Sequence, residues 1–527
     1  MEKFYMPTAI AYTSGKPHIG NTYEIVLADA IARYKRLRGF DVYFMTGTDE
    51  HGEKIEKKAK EQNITPKEFV DKVSSEIRKI WDLVGASYDK FIRTTDEDHV
   101  ELIKKIFKKL YDQGDIYKGK YEGWYCTPCE SFYTDTQLED GKCPLCHREV
   151  YKASEEAYFF KMSKYADKLI KYIEEHDDFI IPEIRKNEML NTFLYPGLND
   201  LCVSRTSFTW GIQVDFDTKH VIYVWLDALM NYLSGVDYKL DGEQSDKFKK
   251  YWPPDLHVIG KDIIRFHTIY WPIFLMALDL PLPKHIYGHP WLLAADEDKM
   301  SKSKGNVLYA DDLVNEYGKD PVRYYLLAQI PFDKDGTIST GLFREVYNND
   351  LANTLGNLVS RTVAMSNKYF GGIVSNGSGS NYGDDFDGYT SDLKKTVKDS
   401  VSSAIDYINN IHIADGIESI FAIFQRCNKY IDETCPWILA KDTASSEKLK
   451  TVLYNLTTGI AIGASLLEPI LPETSEKIFN TLNVKKMDIA NIETKSADEL
   501  FSTYNTEFKV SDAPEILFMR LENDKNK

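Results

Sequence analysis

The chain is short of positive charge. Lys and Arg total 65 against 81 Asp and Glu, a net charge of −16, which excludes nucleic-acid binding by overall attraction; any RNA contact has to come from local basic patches on an acidic body. Long apolar runs are missing too. No stretch approaches the ~20 residues that cross a bilayer and no charged-plus-apolar leader opens the sequence, so a cytoplasmic enzyme with no membrane partner is expected. Cysteine is scarce, seven in 527 residues. Four of the seven fall in two Cys-x-x-Cys pairs, which suits metal binding in a reducing compartment rather than a disulfide framework. No internal repeat is evident. What remains is ordinary globular composition, in a chain long enough for several domains with substantial cores.

Against that acidic background Lys299-Met300-Ser301-Lys302-Ser303, followed by Lys304-Gly305-Asn306, stands out. Lysine is a compact charge on a flexible stem, suited to following a polyphosphate whose charge moves during reaction; a solvated charged turn is the competing reading. Near the N-terminus Phe4 to Tyr12 reads as a mostly apolar strand and Thr13 to Pro17 as a turn. His18-Ile19-Gly20-Asn21 then opens a helix in which Tyr23, Val26, Leu27, Ala30, Ile31 and Tyr34 recur at helical spacing, with Gly39 as its stop. Strand, glycine-containing turn and helix N-terminus make an anion site, because unsatisfied amides and the helix dipole point at the ligand. Taken alone, His18 reads as a capping or core histidine. Asp41 to Met45 follows as a strand, giving a right-handed βαβ unit with a parallel sheet. Ligands bind beyond the carboxyl ends of such strands, where Asp49 lies, although capping the next helix is reason enough for an Asp there.

Further along, Cys126-Thr127-Pro128-Cys129 and Cys143-Pro144-Leu145-Cys146 present four thiolates in a spacing that fits a closed, tetrahedral structural Zn2+. Four free thiols are the alternative, and a four-cysteine site leaves no position for the adjoining His147. The segment Glu101 to Tyr111 turns Lys104, Lys105, Lys108 and Lys109 away from Ile103, Ile106, Phe107 and Leu110, a solvated helix face. Val221 to Trp225 reads as a strand leading into a helix on which Trp225, Ala228, Leu229 and Tyr232 share a face; core packing is the default for such a stripe. Leu256 to Ile259 reads as a buried strand running into Gly260-Lys261-Asp262. Beyond Gly341, amphipathic stretches at 344–369, 391–413, 415–440 and 446–467 read as a helical bundle, with Gly371 to Gly388 as a flexible connection.

His18-Ile19-Gly20-Asn21 together with Lys299-Met300-Ser301-Lys302-Ser303 resembles the two signature motifs of class I aminoacyl-tRNA synthetases. With further segments such as Val203 to Gly211, the similarity is to the methionyl-tRNA synthetases and runs over nearly the whole chain. The lysine motif matches without substitution. The first motif departs: many relatives have a second histidine where this chain has Asn21, an amide that donates to a phosphate oxygen but carries no charge.

The resemblance implies an α/β fold with a doubly wound parallel-sheet (Rossmann-like) catalytic domain in two halves, 1–114 and 221–290. A zinc-binding connective domain is inserted at 115–220, a linking segment with the lysine loop spans 291–343, and an α-helical anticodon-binding bundle spans 344–527. It implies activation of L-methionine by ATP, with Mg2+ accompanying the nucleotide, and transfer from methionyl-adenylate to tRNA(Met). His18, Lys299 and Lys302 are the implied catalytic residues, and Gly20, Asn21, Gly260 and Asp262 join them in contact with ATP, Asp262 at the ribose. Ile10, Tyr12, Asp49, Trp225, Ala228, Leu229, Tyr232 and His267 would surround methionine, Asp49 toward the ammonium and the aromatic rings toward the polarisable thioether. Asn357, Arg361 and Trp437 match the anticodon-reading positions, a chemical set suited to stacking and edge hydrogen bonding; otherwise Trp437, after Cys435-Pro436, reads as core. Two other functions fit the same motifs: a class I synthetase for another apolar amino acid, or a zinc-containing tRNA-binding protein with an inactive catalytic half.

Overall fold

The computed structural model describes residues 1–127, 131–133, 135–144, 146–294, 308–378, 382–504 and 507–522. The chain forms two compact units, Met1–Ala28 with Asp41–Trp291 and Asp29–Phe40 with Leu292–Lys527.

The first unit is organised by a parallel sheet. Pro7 has no N–H for a ladder, and the run expected as one strand from Phe4 to Tyr12 divides there: β1 (Lys3–Pro7) ends at it and β2 (Ala11–Tyr12) resumes beyond Ile10. After helix α1 (Ile19–Leu37) and a left-handed turn at Gly39, β3 (Asp41–Asp49) runs parallel to β1 and β2 and continues four residues past the expected Met45. Lys90–Arg93 lies on the far side of β3. On the other side Thr8 bridges Val258 of the strand Leu256–Gly260, which is followed across the sheet by His285–His289 and Ile180–Ile181, all parallel. From Val42 to Asp49 and from Leu256 to Gly260 every residue is buried, as expected of strands covered on both faces. The sheet grows in opposite directions from β1, so the crevice beyond the carboxyl ends of its central strands is a topological switch point.

The insertion is antiparallel. Ile116–Cys126 pairs with Tyr151–Phe160 along ten residue pairs, with Ser131–Tyr133 on one flank and Leu201–Cys202 on the other. Helix Glu97–Asp112 buries Leu102, Ile103, Ile106, Phe107 and Leu110, and its lysines pair at the surface, Lys104 with Asp215 and Lys105 with Glu101. The strand expected at Val221–Trp225 is only Val221–Ile222. Tyr223 is the last extended residue, and Trp225 belongs to helix Val224–Leu229, whose first turn gains from Asp227 at its positive end.

In the second unit Leu292–Ala294 pairs in parallel with Gly336–Ile338, and helices Ala310–Tyr317 and Lys319–Ala328 lie between them in sequence. Arg323 is fully buried. It pairs with Asp29 at 2.7 Å and donates to the Pro469 and Ile470 carbonyls at 2.9 Å each, tying the segment Asp29–Phe40 to this unit. The bundle helices are Asn357–Phe370, Asp384–Asn409, Ile413–Thr434, Ser446–Leu467 and Pro472–Leu482. The third ends earlier than its periodicity suggests, because Cys435 is left-handed (φ 45°) and Pro436 cannot continue the turn. The expected flexible connection at Gly371–Gly388 is partly ordered: Ile373–Val374 pairs with Phe508–Lys509, and Gly388 lies inside a helix. Among the described residues no helix is long and apolar enough to cross a membrane.

Candidate active site

At the mouth of α1, the His18 ring accepts the Gly20 N–H at Nδ1 (3.1 Å), which puts the ring proton on Nε2. Asn21 accepts the His18 N–H through Oδ1 (3.2 Å), capping the helix with its oxygen and leaving its NH2 as a donor. Across the switch point, Gly260 ends its strand where a Cβ would lie 2.6 Å from Asp262 Oδ1; only glycine lets the carboxylate fold back this closely. Asp262 is exposed and accepts Trp291 Nε1–H at 3.2 Å, with Lys261 over the same indole. Sequence reasoning missed the neighbouring pair of Glu24 and His289, 3.1 Å apart. Burial pushes the Glu24 carboxyl up, opposed by His289 and the Gly260 amide. One acid on an amphipathic helix carries no signal of such a partner.

The second half of the crevice is aromatic and nearly closed. Tyr12 stands opposite Asp49 in register, and Thr13 holds the Asp49 carbonyl through both its N–H (2.9 Å) and its hydroxyl (3.0 Å). Asp49, Ala228, Leu229, Tyr232 and His267 are all buried, and Ile10, Tyr12 and Trp225 are partly exposed. Trp225 stacks on Phe266 at 3.7 Å and 6°. His267 donates Nδ1–H to the Ile263 carbonyl (3.1 Å) and so accepts the Tyr232 hydroxyl at Nε2 (2.8 Å). Burial lowers His267 to about 4, so this pair is uncharged at neutral pH. His257, also fully buried, sits edge-on to Tyr232 with no partner for either ring nitrogen among the described residues, and burial holds it well below its ordinary value. Tyr232, His267, Trp225 and Phe266 therefore present an uncharged, polarisable surface, and the charged groups about it include the Asp49 carboxylate and Lys54, 5.4 Å over the Tyr12 ring. A small zwitterion with a positive ammonium and an uncharged side chain fits that distribution.

Lys299 and Lys302 lie outside the described residues, as does Cys129. Of the other expected metal ligands, Cys126 and Cys143 are fully buried, and the sulfurs of Cys126, Cys143 and Cys146 lie within 4.8 Å of one another, Cys126 and Cys146 at 3.6 Å. A tetrahedral zinc with Zn–S of ~2.3 Å has sulfur edges of about 3.8 Å, so the three fit one ion. His147 turns instead to Glu139 (3.5 Å). In the second unit Asn357 is exposed, Arg361 lies one turn further along the same helix and faces Asp432 at 3.7 Å, and Trp437 is 42% exposed. Cys435 bonds back to the Asp432 carbonyl at 3.1 Å, which brings Trp437 to the same end of the bundle as Arg361. Its exposure rules out the core reading of Trp437.

Comparison with known proteins bears on both units. The model for class I tRNA synthetases (M) matches residues 4–154 and 148–363, and that for the anticodon-binding domain of methionyl tRNA ligase matches 378–527. The methionine–tRNA ligase of Clostridium acetobutylicum is 54% identical over 524 residues, 99% of this chain and 79% of its own, and that of Clostridium perfringens is 58% identical over 482 residues, 92% of this chain and 73% of its own. The Mycobacterium tuberculosis methionyl-tRNA synthetase in complex with methionyl-adenylate superposes with a TM-score of 0.90 at 37% identity, covering 99% of this chain and 100% of that one.

Proposed function

The chain belongs to the class I methionyl-tRNA synthetases, and from that premise we propose how its own residues carry the reaction. It is a methionine–tRNA ligase that activates L-methionine with ATP and charges tRNA(Met). The methionine carboxylate attacks the α-phosphorus in line, the bond to the bridging oxygen breaks, and pyrophosphate leaves with that electron pair. A ribose hydroxyl at the 3′ end of the tRNA then attacks the adenylate carbonyl and AMP departs. Positioning and charge stabilisation dominate such chemistry.

In our reading Asp49 pairs with the ammonium, and Ile10, Tyr12, Trp225, Ala228, Leu229, Tyr232 and His267 enclose the side chain. His18 donates Nε2–H to a phosphate oxygen beside the Gly20 and Asn21 end of α1, while Asp262, folded against Gly260, takes the ribose hydroxyls. Lys299 and Lys302 follow the departing pyrophosphate, and Mg2+ comes with ATP. Cys126, Cys129, Cys143 and Cys146 would hold one Zn2+ that organises the insertion and, with no open position, activates no water. Asn357, Arg361 and Trp437 read the anticodon. We assign 1–114 and 221–290 to the catalytic halves, 115–220 to the connective insertion, 291–343 to the linking segment and 344–527 to anticodon binding. Charging serves translation, and in our reading the enzyme works in the cytoplasm.

The observation that carries the pocket assignment is the uncharged Tyr232–His267 pair beside the Trp225–Phe266 stack, with Asp49 as the anionic end. Amino-acid-dependent exchange of pyrophosphate into ATP tests it. Methionine should support exchange far better than leucine, and comparable exchange with both would overturn the assignment. Elemental analysis should find one zinc per chain, lost on Cys143→Ser; full zinc retained in that variant would discard the four-cysteine site.

A further inference from the structure

The two ends of the proposed methionine pocket stand on different elements. Asp49 ends β3, whereas Trp225, Ala228 and Leu229 are on helix Val224–Leu229 and Tyr232 is just beyond it. A buried polar knot joins the two. Asp227, 1% exposed on that helix, lies with Oδ2 2.7 Å from His51 Nδ1, two residues past Asp49, and with Oδ1 2.7 Å from His99 Nε2. His99 Nδ1 is in turn 2.7 Å from the Ser234 hydroxyl, two residues past Tyr232. The His51 ring packs on Trp210 at 5.4 Å, and Trp210 donates Nε1–H to the Glu50 carbonyl at 2.6 Å. Glu50 is held bidentately by Arg93 at 2.6 and 2.8 Å and by the Thr48 hydroxyl at 2.7 Å. The two residues that follow Asp49 are therefore fixed, Glu50 to the strand Lys90–Arg93 and His51 to the pocket helix.

We infer that Asp227, gripped by His51 and His99, is a positioning residue that sets the distance between the ammonium-binding carboxylate and the side-chain walls; the inference rests on the pocket reading above. An ionised carboxylate only accepts, so His51 presents Nδ1–H and His99 presents Nε2–H. Burial would raise the Asp227 carboxyl, but His51 and His99 outweigh it and hold the group below the ordinary carboxylate value. A buried charge with this much desolvation is a poor way to gain stability alone, since a well-packed apolar group does as well. What the three groups provide is direction: each bond fixes one angle of a helix whose neighbouring side chains line the site.

The test uses the full chain, with pyrophosphate exchange measured at varied methionine and at varied ATP, beside melting temperature. Asp227→Asn, of the same shape, should raise KM for methionine about tenfold, short of the roughly hundredfold that a 1 Å misplacement costs, with KM for ATP and kcat within about twofold. Conservative replacement gives a second reading. Asn places an N–H near the His51 Nδ1 position and Gln near the His99 Nε2 position, so His51→Asn and His99→Gln should stay near wild type while His51→Leu and His99→Leu follow Asp227→Asn; this set carries the test if Asp227→Asn does not fold. Lower melting temperature with both KM values unchanged would make the knot merely structural and overturn the inference. So would an unmoved methionine KM in Asp227→Asn when Trp225→Ala raises it. If Trp225→Ala also leaves that KM unmoved, the pocket reading has failed and the inference falls with it.

Discussion

Tyr232 is 1% exposed with its hydroxyl engaged by His267, while Trp437 stands 42% exposed near the end of a bundle helix. Both are aromatic residues assigned to a ligand, yet the amino-acid pocket encloses and the anticodon face presents. The ligands explain the difference. A methionine side chain has no charge and one weak acceptor, so it is read by walls already in place, through dispersion and exclusion of water. An RNA base brings its own π-face and polar edges, and a single exposed ring reads it at little cost in folding. Substitutions in the pocket should therefore couple to stability, and those on the anticodon face should not.

The largest effect should come from neither region. Lys302→Ala removes the charge that we propose acts on the departing pyrophosphate, so a loss of about 3 kcal/mol is expected in the activation step by analogy with deleted oxyanion donors. Adenylate formation in single-turnover experiments should slow, and methionine affinity should hold. A variant that weakened methionine binding instead would make the loop part of the enclosure and erase the contrast between chemistry and recognition.

Protons sharpen the comparison. His267 has its folded value lowered from 6.5 to about 4 by burial, so between those values the unfolded chain takes up a proton that the folded chain refuses. Stability should fall as pH drops from 6.5 toward 4, by up to about 3 kcal/mol from this group. His257 adds in the same direction. Melting temperatures at pH 7 and pH 5 should therefore drop further in wild type than in His267→Asn. Trp437→Ala should share the wild-type pH dependence.

Trp437→Ala should weaken tRNA(Met) binding by about 1–3 kcal/mol, the usual loss of one stacking platform. Methionine-dependent exchange, which needs no tRNA, should stay near wild type, and the melting temperature should hardly move for a ring this exposed. Equal loss of exchange and charging in a destabilised protein would end the anticodon assignment.

Much of this was legible in the sequence because it is written locally. The βαβ unit, the helix opening at Ile19 and the strand entering Gly260 each show as periodicity closed by turn residues. The Asp227 knot was not, since its partners stand 176 and 128 residues away and an Asp in the first turn of a helix needs no further reason. Glu24 was hidden in the same way, 265 residues from His289. Trp437 shows a third case. Its neighbours Cys435 and Pro436 set a helix break, but no local pattern states whether the ring beyond it is in or out, and only the resemblance pointed to a surface role.

The smallest effect concerns which amino acid the pocket prefers. Trp225 stacks flat on Phe266, and truncating it to Ala removes one aromatic wall while leaving Asp49 and the Tyr232–His267 pair in place. KM for methionine should rise, and leucine should gain ground, because a branched chain profits from widened space more than an unbranched thioether that already fitted. Apolar pockets separate near isosteres by only about 1–3 kcal/mol, so the change in relative kcat/KM cannot exceed that range. Tyr232→Phe should shift the preference less, since the ring remains and only the hydroxyl on His267 is lost, although the unpaired Nε2 should lower stability by about 1–3 kcal/mol. Exchange assays with methionine and leucine, beside melting curves, read both quantities. If preference follows Trp225 and stability follows Tyr232, wall and support are separate parts of the enclosure. If Trp225→Ala leaves the preference unchanged, the stack is packing alone and the selective wall lies elsewhere in the pocket.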